Sequence, residues 1–166
     1  GEGLDLQTVV TVVVGEELTA RNRDPRTDHV CLEALGPGVT GWSEGDRVVV
    51  NPSLWCGACV YCERGEESLC RSYRIIGEHV QGGAAERIRV PAANLFRIPD
   101  DLTFEMAAAA PLVYQTAWRA LSGRAGLEKG ETLLVTGGSG GVSTAAIQIG
   151  RHLGSRVLVL TSGPEN

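Results

Sequence analysis

Apolar residues are distributed along this chain in two ways. Up to about residue 100 they form short β-branched or alternating runs between glycine- and proline-bearing turns; beyond that they recur at helical spacing or as compact strand-like blocks. Residues 9–14 (VVTVVV) read as a strand, and the polar stretch 21–28 after them reads as a solvated loop. Gly36-Pro37-Gly38 and Ser43-Glu44-Gly45-Asp46 are turn signals, and a strand begins at Arg47. Residues 85–98 are again strand-like, with Pro91 suited to an edge or a boundary. Helix formers dominate 103–110; Pro111 ends that helix and opens another over 112–121, which Gly123 stops. The last fifty residues predict a strand (132–136), a glycine cluster, a helix (141–153) and a second strand (156–160). Strand, glycine turn, helix, strand opens a parallel α/β unit. The expected fold class is therefore an all-β part followed by an α/β part.

Composition narrows the function classes. Among 166 residues, 43% are hydrophobic and 21% charged, as in a globular chain, and 22 glycines without a collagen period imply many tight turns. A net charge of −5 lacks the basic footprint of a nucleic-acid binder. No apolar run approaches the ~20 residues that span a bilayer, and residues 1–5 have neither the basic nor the apolar region of a signal peptide. The expected compartment is the cytoplasm, where the five cysteines stay reduced.

Four of those cysteines lie in a lobe over residues 51–72. Cys56, Cys59, Cys62 and Cys70 are spaced C-x2-C-x2-C-x7-C, so four thiolates on a short loop can close a tetrahedron around zinc. Four protein ligands leave no open coordination position, which makes such a zinc structural. Disulfides suit an oxidising compartment instead. An iron–sulfur cluster favours a shorter last gap followed by proline, and Arg71 follows Cys70. Cys31 stands outside the pattern and reads as a buried thiol.

The glycine cluster Thr136-Gly137-Gly138-Ser139-Gly140-Gly141-Val142-Ser143 sits between the predicted strand and helix. Gly138, Gly140 and Ser143 occupy the special positions of G-x-G-x-x-G, with Gly138 permitting the tight turn and Ser143 small enough for close packing. Gly138, Gly140, Gly141, Val142 and Ser143 are the expected cradle for a dinucleotide pyrophosphate at the helix N-terminus. At the end of the second strand stand Thr161 and Ser162, where an NAD-binding turn carries Asp or Glu for the ribose 2′-hydroxyl. With no carboxylate there to repel a 2′-phosphate, NADP(H) is the expected cofactor.

With these motifs in place, the chain resembles the zinc-containing medium-chain dehydrogenase/reductase superfamily, the alcohol dehydrogenase and quinone oxidoreductase group, from about Glu33 onward. The resemblance rests on Gly36-Pro37-Gly38-Val39 with Gly45-Asp46-Arg47-Val48, the cysteine lobe, and Gly77-Glu78-His79 with Gly82-Gly83-Ala84-Ala85-Glu86. Ala110-Pro111-Leu112 with Thr116-Ala117-Trp118, and the glycine turn, complete it. It implies a GroES-like β-barrel catalytic domain over 1–115 and the start of a Rossmann cofactor domain over 116–166, a piece of a longer two-domain enzyme. It further implies hydride transfer between a nicotinamide and a small carbonyl, enone or quinone substrate, in an enzyme that is homo-oligomeric at full length. Thr116 corresponds to a position that approaches the nicotinamide, and His79 to a segment near the active cleft, where it could donate a proton or position substrate.

The sequence departs from the family at its catalytic zinc. The pattern G-H-E-x-x-G-x-V-x-x-V-G puts Arg26 and Thr27 at the His and Glu positions and Val30 at a glycine; the third ligand, a cysteine, corresponds to Leu112. Arginine and leucine offer zinc no donor, so the expectation is chemistry without a catalytic zinc. His29, Cys31 and Glu33 alternate as if on one strand face, but such a polar face needs no metal. The competing expectation is a catalytically inert, zinc-stabilised fragment or pseudoenzyme.

Overall fold

The computed structural model describes residues 9–13 and 31–163. The chain divides into two compact units, Gly1–Ala108 and Ala109–Asn166.

The first unit is built from short antiparallel pairings. Strand β1 (Val9–Val13) lies between β2 (Cys31–Leu35) and β6 (Arg87–Pro91). β3 (Val48–Val50) pairs with β7 (Leu95–Arg97), and β4 (Ser53–Leu54) with β5 (Arg74–Ile75). Pro91 closes β6 at the last registered pair of an edge strand, where its missing N–H costs the ladder least. Period-two alternation fixes the inner face: in β6 Val90 is buried while Arg87 and Arg89 face solvent. Val90, Leu32, Val48 and Leu95 form the core, with Trp42, Ile76 and Ile88 packed against it.

Two polar fasteners shape what the core alone would leave loose. The buried Asn94 amide donates to the carbonyls of Asn51 (2.7 Å) and Ser53, which pins the start of the cysteine lobe to the turn between β6 and β7. Arg47 donates to the carbonyls of Pro99 (3.1 Å) and Leu102 (2.6 Å) and lies over the Phe104 ring, 4.6 Å from its centroid. It thereby ties the segment leading into α1 (Phe104–Ala108) to the start of β3.

The second unit contains α2 (Pro111–Trp118), β8 (Thr132–Thr136), α3 (Gly141–His152) and β9 (Arg156–Leu160). Strands β8 and β9 pair in parallel from Thr132↔Arg156 to Thr136↔Leu160. Ala117 of α2 and Leu121 just beyond its end are buried against Ala145 and Ile149 of α3, and the two alanines allow close approach. The division at Ala108/Ala109 keeps all of α2 with α3, whereas a boundary at 115/116 would cut α2 in half. The helix expected to run to residue 121 instead leaves α-geometry after Trp118 and widens into a π-helical turn, Arg119–Arg124, where the Arg119 side chain folds over Gly123.

Candidate metal centre and nucleotide-binding turn

Cys56 and Cys59 occupy the loop after β4. A 3₁₀ turn, Cys62–Arg64, carries the third cysteine and ends at Gly65 in the left-handed region (φ 71°). A second turn, Glu67–Leu69, delivers Cys70. All four sulfurs lie within 4.8 Å of one another; Cys59 and Cys62 are 3.6 Å apart, and Cys56 and Cys62 3.9 Å. A tetrahedron with zinc–sulfur bonds of ~2.3 Å has edges of ~3.8 Å, so the donor set fits zinc in both chemistry and size.

The backbone prepares the sulfurs for the anionic form. The N–H groups of Cys56 and Ser72 point at Cys70 Sγ (3.3 and 3.4 Å). Burial works against ionising Cys70, yet these two donors together with the Cys56 and Cys62 thiols outweigh it and its pKa falls. The Cys62 N–H is the main influence holding Cys59 down to about 6. Cys62 is pushed up to about 12, first by burial and then by its hydrogen bond to Cys59. Four crowded thiols thus share protons unequally, and a divalent cation would replace those protons. Within residues 51–72 only Leu54 and Cys70 are buried, so the lobe has little apolar core of its own.

In the second unit, the glycine turn joins β8 to α3. Gly137 adopts φ 69°, and its N–H donates to the Leu160 carbonyl at the end of β9 (3.0 Å). The tight turn therefore falls on Gly137 rather than on Gly138, because only Gly137 takes a left-handed φ. Gly138 answers a different demand: a Cβ there would sit 2.5 Å from Val159 Cγ1. Gly140 is extended (φ −72°, ψ 149°) and caps α3, and the Ser143 hydroxyl donates to the Thr136 carbonyl (3.1 Å). Between the turn and the end of β9 lies a groove of about 310 Å³ lined by Gly137, Gly138, Ser139, Leu160, Thr161 and Ser162. No charged side chain lines it. Of the expected cofactor residues, Gly138, Thr161 and Ser162 line the groove; Gly140, Gly141, Val142 and Ser143 form the cap and first turn of α3 beside it. Sequence reasoning missed Gly137, Ser139 and Leu160 as lining residues.

Residues 31–100 match the family described as the alcohol dehydrogenase GroES-like domain. The chain is 40% identical over 131 residues to an acryloyl-coenzyme A reductase of Metallosphaera sedula, covering 79% of this chain and 39% of that protein. Among solved structures it resembles an NAD-dependent alcohol dehydrogenase, with 44% identity, a TM-score of 0.79, and coverage of 82% of this chain and 40% of the other. It also resembles a cobalt- and zinc-bound thermostable alcohol dehydrogenase from Pyrobaculum aerophilum, with 34% identity, a TM-score of 0.71, and coverage of 93% and 50%. This chain belongs to the zinc-containing medium-chain dehydrogenase/reductase superfamily. Its fold is the GroES-like β-structure followed by the start of a Rossmann fold. It spans about two fifths of the length of the curated relatives it matches.

Arg26, Thr27 and His29 lie outside the described residues. Leu112 is exposed at the start of α2. The Arg87 Nε–H donates to both Glu33 carboxylate oxygens (2.8 and 3.1 Å), which supplies the positive charge this face needs, and Cys31 is half-buried. Among the described residues, the four lobe cysteines are the group whose ligand atoms converge on a metal-sized space. His79 is exposed, and its Nδ1 accepts the Ile75 N–H (3.1 Å), so Nε2 carries the proton of the neutral ring. The Thr116 hydroxyl is turned back on the Leu112 carbonyl (3.0 Å) and does not line the groove. No helix among the described residues is long and apolar enough to cross a membrane.

Proposed function

We propose that the chain is part of an NADPH-dependent oxidoreductase in which Cys56, Cys59, Cys62 and Cys70 hold a structural zinc and the β8–α3 turn receives the dinucleotide. The observation that carries this reading is the groove beside Gly137 and Gly138, walled by hydroxyl-bearing Thr161 and Ser162 with no carboxylate. The first N–H groups of α3, at Gly141, Val142 and Ser143, have no intrahelical acceptor and would meet the pyrophosphate, where the helix dipole favours negative charge. The hydroxyls of Thr161 and Ser162 would meet the ribose and tolerate a 2′-phosphate. The bound nicotinamide supplies or accepts a hydride. The chain's own residues bind and orient it, and Thr116 is the α2 residue assigned to approach its ring.

The substrate class is a small carbonyl, enone or quinone. With arginine and leucine at ligand positions of the family's catalytic site, a developing oxyanion would be stabilised by hydrogen-bond donors. His79, with Nε2–H as its remaining donor, is the candidate proton source. The test is NADPH oxidation by the zinc-loaded protein against a panel of quinones, enones and aldehydes. Turnover supports the oxidoreductase. Zinc binding without turnover on any of the panel supports the inert zinc-stabilised module.

A further inference from the structure

The four lobe cysteines differ in their access to solvent. Cys56 is exposed, Cys59 and Cys62 are half-buried, and Cys70 is only 6% exposed. They also differ in shielding by the backbone. Cys70 Sγ receives the N–H groups of Cys56 and Ser72, and Cys59 receives those of Cys62, Arg71 and Tyr61. Once zinc holds all four sulfurs as thiolates, their exposure decides which one a solvent-borne oxidant reaches first, since burial blocks its approach. Cys56 is thus the open corner of the cluster. Cys62 Sγ lies 3.9 Å from Cys56 Sγ, close enough to resolve an oxidised Cys56 with a small loop adjustment. The lobe does not resist that adjustment with an apolar core, since Leu54 is its single buried side chain besides Cys70.

The geometry points to a peroxide-responsive zinc site: a hydroperoxide oxidises Cys56, Cys62 closes a Cys56–Cys62 disulfide, and the zinc is released. This rests on the zinc assignment proposed above. In the first step the Cys56 thiolate attacks the terminal peroxide oxygen; the O–O bond breaks, a sulfenic acid forms, and the departing oxide takes a proton. In the second step the Cys62 thiolate attacks the Cys56 sulfur, the S–S bond forms, and hydroxide leaves to take up a second proton. With hydrogen peroxide, two thiolates are oxidised by two electrons and one peroxide becomes two waters. The zinc keeps only Cys59 and Cys70, too few to hold it, and those two sulfurs pick up protons as it leaves.

The test uses the zinc-loaded protein and hydrogen peroxide, with zinc release read by a chromogenic chelator and thiols mapped by alkylation and mass spectrometry. One zinc is released per peroxide consumed; Cys56 and Cys62 are recovered in a disulfide-linked peptide, Cys59 and Cys70 are alkylated, and a dithiol with added zinc restores the original state. Cys31→Ser, which leaves the lobe intact, releases zinc at the unchanged rate. Zinc that stays bound while Cys31 is oxidised overturns the inference, as does a disulfide that contains Cys70. Protein that never binds zinc overturns the zinc assignment itself, an outcome recognisable before any peroxide is added.

Discussion

Replacing Gly138 by alanine puts a methyl group where the β8–α3 turn passes β9. The new carbon would lie 2.5 Å from Val159 Cγ1 and 3.4 Å from Thr161 Cγ2. Carbon atoms in contact settle at ~3.5–4.0 Å, so the valine must retreat by about 1 Å. Pairing with Val135 in the parallel ladder fixes the Val159 backbone, so its side chain gives way only by leaving its present rotamer. Overpacking of this kind costs about 1–3 kcal/mol. Because Val159 is 42% exposed, Val159→Ala alone should cost less than truncating a buried valine, and the double variant should recover most of the loss, a coupling of about 1–2 kcal/mol. Gly137→Ala separates the two glycine demands. It should cost about 1–2 kcal/mol from its left-handed φ of 69°, with no rescue by Val159→Ala, since nothing lies within 4 Å of its added carbon. The assay is urea denaturation followed by the helical circular dichroism signal, to which α2 and α3 contribute most among the described residues. A Gly138→Ala protein as stable as the parent, or equal rescue of both alanines by Val159→Ala, would show that Val159 does not impose glycine at position 138.

Three further outcomes follow from the first unit and its lobe. Arg47→Lys should destabilise the first unit by about 1–3 kcal/mol, because lysine cannot donate to the Pro99 and Leu102 carbonyls while stacking on Phe104; Trp42 and Trp55 fluorescence during unfolding measures it, and an unchanged midpoint counts against it. Asp46 is held below the ordinary carboxylate range of 3.8 by the Ser43 N–H and then by Arg97 (2.8 Å), so its contribution is present above that value and is lost as pH falls through the lower folded-state value. Asp46→Asn should therefore lower stability near neutral pH and converge with the parent in acid; parallel denaturation series at both pH values check this. Cys70→Ser removes the buried, doubly hydrogen-bonded ligand, so metal analysis should find the zinc lost and the lobe open to protease, whereas Cys31→Ser keeps its zinc.

Much of the second unit could be read directly from the residues. Thr132–Thr136 and Arg156–Leu160 are apolar blocks bounded by glycine and charge, and α3 carries its small and apolar residues on one face, so pattern and structure agree. The four-cysteine spacing likewise placed the metal-capable cluster, because ligands so close in sequence need little help from the fold to meet. Strand β2 was visible only in part: Cys31 and Glu33 alternate as on one strand face, but Glu33 and Ala34 are helix formers, and the segment becomes a strand by pairing with β1 across a register shift. The π-helical turn after Trp118 was also hidden, since its sequence differs little from that of a helix approaching its end. In the groove, Ser139 and Leu160 carry no motif of their own and are defined by where β9 ends against the turn. Gly137 looked interchangeable with its neighbour, and only the backbone angles distinguish the residue that turns from the one that makes room.

On the proposed reading, the turn joining β8 to α3 receives a nicotinamide dinucleotide and accepts a 2′-phosphate. Calorimetric titration of the zinc-loaded protein with NADPH and then NADH tests it most directly. Binding at one site is expected, tighter for NADPH and weakened by Gly138→Ala. Tighter binding of NADH, or no heat of binding with either nucleotide, would contradict it.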